Sequence, residues 1–189
     1  MIMDISRTRL TNADYMALTD DGKRYELHEG VLIEMPSASM LHNWIISVIL
    51  NSLLRIVFDH SLGFVTGDGL DYILDHGVIL KPDISFIAGV FPPFAQYPTS
   101  APDLAVEILS PSNSASEINY KVKTYLQYGS RLVWVIDPDK QLATIYHKQT
   151  DGQSLTTHLT IEGTLIGEDV LPDFRLPMRD IFGPGLTVT

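Results

Sequence analysis

The chain of 189 residues contains no cysteine. Disulfides, thiolate metal sites and cysteine nucleophiles are therefore excluded, and a reducing cytoplasm is the expected location. Positive charge is scarce: 13 Lys and Arg stand against 23 Asp and Glu, a net charge of −10. Proteins that embrace nucleic acid broadly are basic, so the balance counts against tight, sequence-independent binding and leaves room only for weak or local contact. The most apolar segment is expected to be too short for a membrane span. This stretch, Trp44 to Phe58, is interrupted by Asn51, Ser52 and Arg55, which reads as a core helix. Met1 to Leu10 holds no long apolar stretch, so no signal peptide is expected. Repeats, low-complexity tracts and Gly/Ser linkers are also missing. With 45 % apolar residues, residues 1–189 read as one globular domain.

Local signals give the order of elements. "LTNADYMAL" predicts a short helix capped by Thr11 or Asn12. "RYELHEGVLIEMP" predicts a hairpin around His28-Glu29-Gly30. "SMLHNWIISVILNSLLRIVFDH" predicts a long helix whose Asn43, Ser47, Asn51 and Arg55 recur every four residues, a narrow polar stripe on a mostly buried rod. Trp44 and Trp134 are both expected in the core. "GVILKPDISFIA" alternates as one strand, with Lys81, Asp83 and Ser85 on one face and Leu80, Ile84 and Phe86 on the other. "VFPPFAQYPTSAPD" predicts a proline-rich surface loop. "RLVWVIDPDKQLATIYHK" predicts two strands around a Pro-Asp-Lys turn, and "LPDFRLPMRDIFG" a last strand with a short terminal helix. Helices mixed with strands in this order predict an α/β fold, a central mixed β-sheet flanked by helices.

The segment "DLAVEILSPSNSASEINYKVKTYLQYGS" raises a chemical question. Glu107 sits inside an apolar strand, where an unpaired carboxylate costs several kcal/mol. Either the strand is one-sided and Glu107 meets water, or a cation meets Glu107. The following helix should begin at Ala115, because Ser114 and Glu117 form a capping-box pattern, and stop near Gly129. Its apolar stripe is Ile118, Val122, Tyr125 and Leu126. At 100° per residue Lys121 lies about 60° from the leading residue of the stripe and Lys123 about 140° away. Lys121 thus leans inward, either snorkelling along apolar surface or meeting an acid. Asp83 supplies a second strand acid. Two carboxylates facing the same way repel unless a cation lies between them. A hard divalent ion takes such ligands, and with a lysine to hold a water the set could hydrolyse a phosphodiester. Spacing alone does not specify such a pocket.

"YELHEGVLIEMPSASMLH", "LKPDISFI", "PDLAVEILSPSNS", "YKVKTYLQYGSRLVWVIDP" and "LPDFRLPMRDIF" together closely resemble, in order and over nearly the whole chain, the Uma-two family of restriction-endonuclease-like proteins in the PD-(D/E)XK nuclease superfamily. The resemblance implies a restriction-endonuclease-like core, Asp83 as the aspartate of the "PD" element and Glu107 as the second acid. The superfamily lysine two residues after that acid is replaced here by Leu109, and Lys121 occupies the relocated position on the next helix. Glu26 and His42 also match family positions, Glu26 as a further metal or water ligand.

The expected chemistry is metal-dependent hydrolysis of DNA. Asp83 and Glu107, helped by the Ile108 backbone carbonyl, would hold Mg²⁺ (or Mn²⁺), and Lys121 would position the attacking water. His42 and Lys81 are accessory candidates, each with a plain alternative: a loop hydrogen bond for His42, a solvated strand end for Lys81. A non-catalytic binding or regulatory protein that keeps the nuclease fold is the competing expectation; a carboxylate-pair glycosidase lacks any aromatic sugar groove. The apolar long helix also suggests a homodimer.

Overall fold

The computed structural model describes residues 9–67, 69–90, 97–148 and 154–183. Residues 1–8 of the stretch read for a signal peptide, and 91–96 of the expected proline-rich loop, lie outside them.

Helix α1 (Asn12–Met16) is capped by Thr11, whose hydroxyl accepts from the Asp14 N–H while the Asp14 carboxylate accepts from the Thr11 N–H. Strands β1 (Arg24–His28) and β2 (Val31–Met35) form the expected hairpin. Its turn needs left-handed backbone twice, φ 49° at Glu29 and 82° at Gly30; glycine meets the second requirement without steric cost. Helix α2 (Met40–His60) starts at Ser39, which accepts from the His42 N–H. Then follow β3 (Gly63–Thr66), β4 (Tyr72–Asp75), β5 (Val78–Leu80), β6 (Ile84–Ala88), β7 (Leu104–Ile108), α3 (Ala115–Gln127), β8 (Leu132–Asp137), β9 (Leu142–Lys148), β10 (Ser154–Leu159), β11 (Thr164–Gly167), β12 (Leu171–Pro177) and α4 (Met178–Phe182).

The central sheet is mixed, in the order β10-β9-β8-β7-β6-β3, with β7 and β8 parallel and the other neighbours antiparallel. A second sheet runs β2-β1-β5-β4, and β11 with β12 makes a ribbon. On one face of β7, Leu104, Val106 and Ile108 pack with Ile45, Ile49 and Leu53 of α2; on the other, Ala105 packs with Val122 and Tyr125 of α3. Period-2 alternation puts Glu107 on the α3 face. Every residue of β7 is buried, so Glu107 does not face solvent from a one-sided strand.

Three expectations need correction. "GVILKPDISFIA" is not one strand but two, in different sheets, because Pro82 has no N–H to extend a ladder. Lys81-Pro82-Asp83 carries the chain from β5 to β6. Second, α2 is less buried than its composition suggested. Asn43, Ser47, Asn51 and Arg55 are exposed as the spacing predicts, but so are Met40, Trp44 and Phe58. Trp44 is a surface residue; Trp134 alone is the core tryptophan. By length and composition α2 is long and apolar enough to cross a bilayer; its Ile45-Ile49-Leu53-Val57 face packs within the core under the central sheet. Third, β10 and β11 had no sequence signal. Five of the six residues of β10 are exposed, so no apolar alternation marks it.

Helix α3 begins as the capping pattern predicts, with the Ser114 hydroxyl accepting from the Glu117 N–H at 3.1 Å. Ser114→Ala should cost about 1 kcal/mol, a fall in Tm of about 2–4 °C for a chain of this length. An unchanged melting curve would show that this cap does not stabilise the helix.

Candidate active site

The β5–β6 crossover is where the two larger sheets meet, and it brings the predicted acids together. Ile84 pairs with Val106 across β6 and β7, so one step further along the register Asp83 stands opposite Glu107. Asp83 Oδ2 accepts the Ile108 N–H at 2.7 Å, a side chain continuing the ladder where Pro82 cannot. Its Oδ1 lies 3.2 Å from His42 Nε2, delivered by the first turn of α2.

Lys121 reaches the same place from α3. Its Nζ is 2.7 Å from Glu107 Oε2 and 2.9 Å from Glu26 Oε1, and the side chain is buried rather than snorkelling. Glu26 comes from β1 of the smaller sheet. Its Oε1 also accepts the Lys81 N–H at 2.7 Å, and its Oε2 lies 2.9 Å from His28 Nε2. Glu26, Asp83, Glu107 and Lys121 are each at most 6 % exposed. The Lys81 ammonium goes elsewhere: it is 3.2 Å from Asp71 and sits over the Tyr15 ring, so Lys81 serves the cluster through its backbone.

Two residues of the cluster escaped the sequence reading. The Tyr125 hydroxyl donates to Glu107 Oε1 at 2.6 Å, and His28, besides meeting Glu26, stacks on Tyr120 with ring centroids 4.5 Å apart. The available signal was spacing: Lys121 and Tyr125 are i and i+4 on one helix face, and Glu26 and His28 are i and i+2 on one strand face.

Glu26, His42, Asp83, Glu107, Ile108 and Lys121 all line one narrow cleft of about 40 Å³, enough for about two or three waters. A wider hollow of about 360 Å³ beside Tyr120 and Tyr128 contains none of these residues, so size does not mark the chemistry here.

The model of the Uma2 family, described as "Putative restriction endonuclease", matches residues 13–179. The chain belongs to this family. No curated protein matches it. Among solved structures, the crystal structure of a "putative nuclease belonging to DUF820" from Anabaena variabilis ATCC 29413 superposes with a TM-score of 0.79 at 23 % identity, covering 92 % of this chain and 97 % of that one. At that identity the likeness speaks for the fold, and it agrees with the mixed sheet flanked by helices read from the sequence.

The cluster of this Uma2 chain is electrostatically unbalanced, with three carboxylates around one lysine. Burial works against the Lys121 ammonium, but Glu107, Glu26 and Asp83 outweigh it and hold the amine protonated, well above its ordinary range. Burial also pushes Glu26 up, yet Lys121, the hydrogen bond from His28 and the Lys81 N–H bring it well below the usual carboxylate range. Glu107 goes the other way. Burial raises it, Asp83 and Glu26 add to the rise, and Lys121 offsets only part. Tyr125 is pushed far up by burial and then by Glu107, so its hydroxyl stays a donor.

Among the described residues no three His, Asp or Glu side chains form a ready-made metal cage. Mg²⁺ does not require one: it is commonly held by one or two carboxylates and keeps several waters. Buried carboxylates in excess over cations, beside a cleft with room for water, fit such an ion. Asp83 and Glu107 with the Ile108 backbone would hold it, each carboxylate oxygen having acceptor capacity beyond its present partner.

Proposed function

We propose that this Uma2 protein is a divalent-metal-dependent endonuclease that hydrolyses DNA phosphodiester bonds at the Asp83-Glu107-Lys121 cluster. The observation that carries the reading is the Lys121 ammonium bridging Glu107 and Glu26 beside Asp83 in one buried cleft. The four residues come from two strands, the β5–β6 crossover and a helix, and a merely structural ion pair would not require a third acid.

In this reading Asp83 and Glu107 would hold Mg²⁺ or Mn²⁺ with the Ile108 carbonyl. The chemistry such an ion would supply there is polarisation of the scissile phosphate and acidification of a water. Lys121, kept protonated by its acids, acts as a donor rather than a base: it orients the water and offsets charge developing on phosphorus oxygens. Glu26 holds the ammonium in place from the other side. The water oxygen forms the new bond to phosphorus, the bond to the leaving sugar oxygen breaks, and that oxygen gains the proton the water gives up. Substrate contact must be local, because the chain is strongly acidic and offers Arg24 as the other cation in the cleft.

Asp83→Asn removes a ligand charge while keeping the side chain's shape. Calorimetric titration with Mg²⁺ should show affinity reduced at least about 10-fold; unchanged binding would take Asp83 out of the ligand set.

A second reading, a non-catalytic binding protein on the same fold, is favoured by one fact: each carboxylate oxygen of Glu26, Asp83 and Glu107 already has a donor or histidine partner. Incubation of purified protein with assorted DNA and Mg²⁺ or Mn²⁺ separates the two, with Glu107→Ala as the control. Cleavage lost in the variant supports the enzyme; binding without cleavage supports the alternative. The homodimer is likewise a proposal, tested by light scattering.

A further inference from the structure

Tyr125 belongs by its ring to the apolar face of α3, packed with Ala105, Val122 and Val133. Its hydroxyl does something a packing residue need not do. It donates to Glu107 Oε1 at 2.6 Å, with the residue fully buried. Lys121, one turn earlier, donates to the other oxygen of the same carboxylate at 2.7 Å. Residues i and i+4 of one helix therefore grip both oxygens of one acid. With Lys121 alone, the carboxylate could rotate and give both oxygens to the ammonium. With the hydroxyl in place, the carboxylate plane is fixed and each oxygen keeps acceptor capacity free.

We propose that Tyr125 is a positioning residue for cation binding: its hydroxyl orients the Glu107 carboxylate so that it can share an ion with Asp83 instead of turning wholly to Lys121. This inference rests on the reading of Glu107 as a metal ligand. Groups that orient a ligating carboxylate are commonly worth 10–100-fold in metal affinity or activity.

The test compares Mn²⁺ affinity by calorimetry in the full-length wild type, Tyr125→Phe, Val122→Ala and Glu107→Gln, alongside the Mn²⁺ dependence of DNA cleavage. Tyr125→Phe loses one oxygen and keeps the ring. It should weaken Mn²⁺ binding about 10–100-fold and shift the half-maximal metal concentration for cleavage by the same factor, with the rate at saturating metal changed much less. Val122→Ala truncates a neighbour in the same apolar cluster that has no polar atom; it should lower Tm and leave Mn²⁺ affinity unchanged. Unchanged affinity in Tyr125→Phe overturns the proposal, as does Val122→Ala weakening Mn²⁺ equally. A Tyr125→Phe chain that does not fold overturns it too, the hydroxyl then being a structural requirement. A wild type that binds no Mn²⁺, or a Glu107→Gln variant that binds it normally, instead defeats the underlying metal reading.

Discussion

Lys121→Met is expected to destabilise the fold by about 3–5 kcal/mol, the cost of removing one partner from a buried ion pair, and to abolish cleavage while leaving Mg²⁺ affinity intact. The side chain is buried and is the direct cationic partner of both Glu107 and Glu26. Methionine fills the volume but leaves two acids facing each other without an intervening charge. For a chain of this length the loss corresponds to a Tm about 10 °C lower. The Asp83 and Glu107 ligands are untouched, so calorimetric Mg²⁺ affinity should hold or rise as the ion replaces the missing charge. A melting temperature within a degree or two of wild type would contradict the buried bridge. Wild-type cleavage by the variant would remove Lys121 from the chemistry, whatever its structural weight.

Glu107→Gln should have opposite effects on stability and activity. The buried Glu107 carboxyl is raised above its unfolded range. Stability linked to a raised group is fully present below the unfolded value and is lost as pH rises through the folded one. Wild type without metal should therefore weaken from about pH 5 into the alkaline range. Glutamine, which does not ionise, escapes that loss. In chelator at pH 8 the variant should melt higher than wild type, by a margin on the order of 2 kcal/mol, and the two should converge near pH 5. Cleavage should fall by more than about 100-fold, beyond what loss of a group that merely supports a ligand costs. Greater stability with lost function is common when a strained site is neutralised. A variant less stable than wild type at pH 8 would show that the ionised Glu107 holds the fold together.

What could be read from the sequence was local. Thr11 and Ser114 cap helices, and Glu29-Gly30 turns a hairpin, because these signals act within a few residues. The break at Pro82 was hidden, since alternation reads the same whether "VILKPDISF" is one strand or two; only the partner strands distinguish them. Trp44 failed as a core residue because composition does not say which side of an apolar helix is covered. For the site, the angular position of Lys121 on α3 pointed inward correctly. The pairing of Asp83 with the Ile108 N–H depends on long-range register that no local pattern fixes; the family resemblance supplied those positions instead. Tyr125 and His28 stayed invisible because a tyrosine in an apolar stripe reads as packing, and a Glu-x-His on a strand reads as a surface pair until the neighbouring elements bury it.

The most direct test is a crystal soaked in Mn²⁺ and measured for anomalous scattering. A peak is expected in the cleft on the Asp83 and Glu107 carboxylates, with the Lys121 ammonium close by but not bonded to the ion. A fully soaked crystal with no peak there, or with one only at other acids, would contradict it.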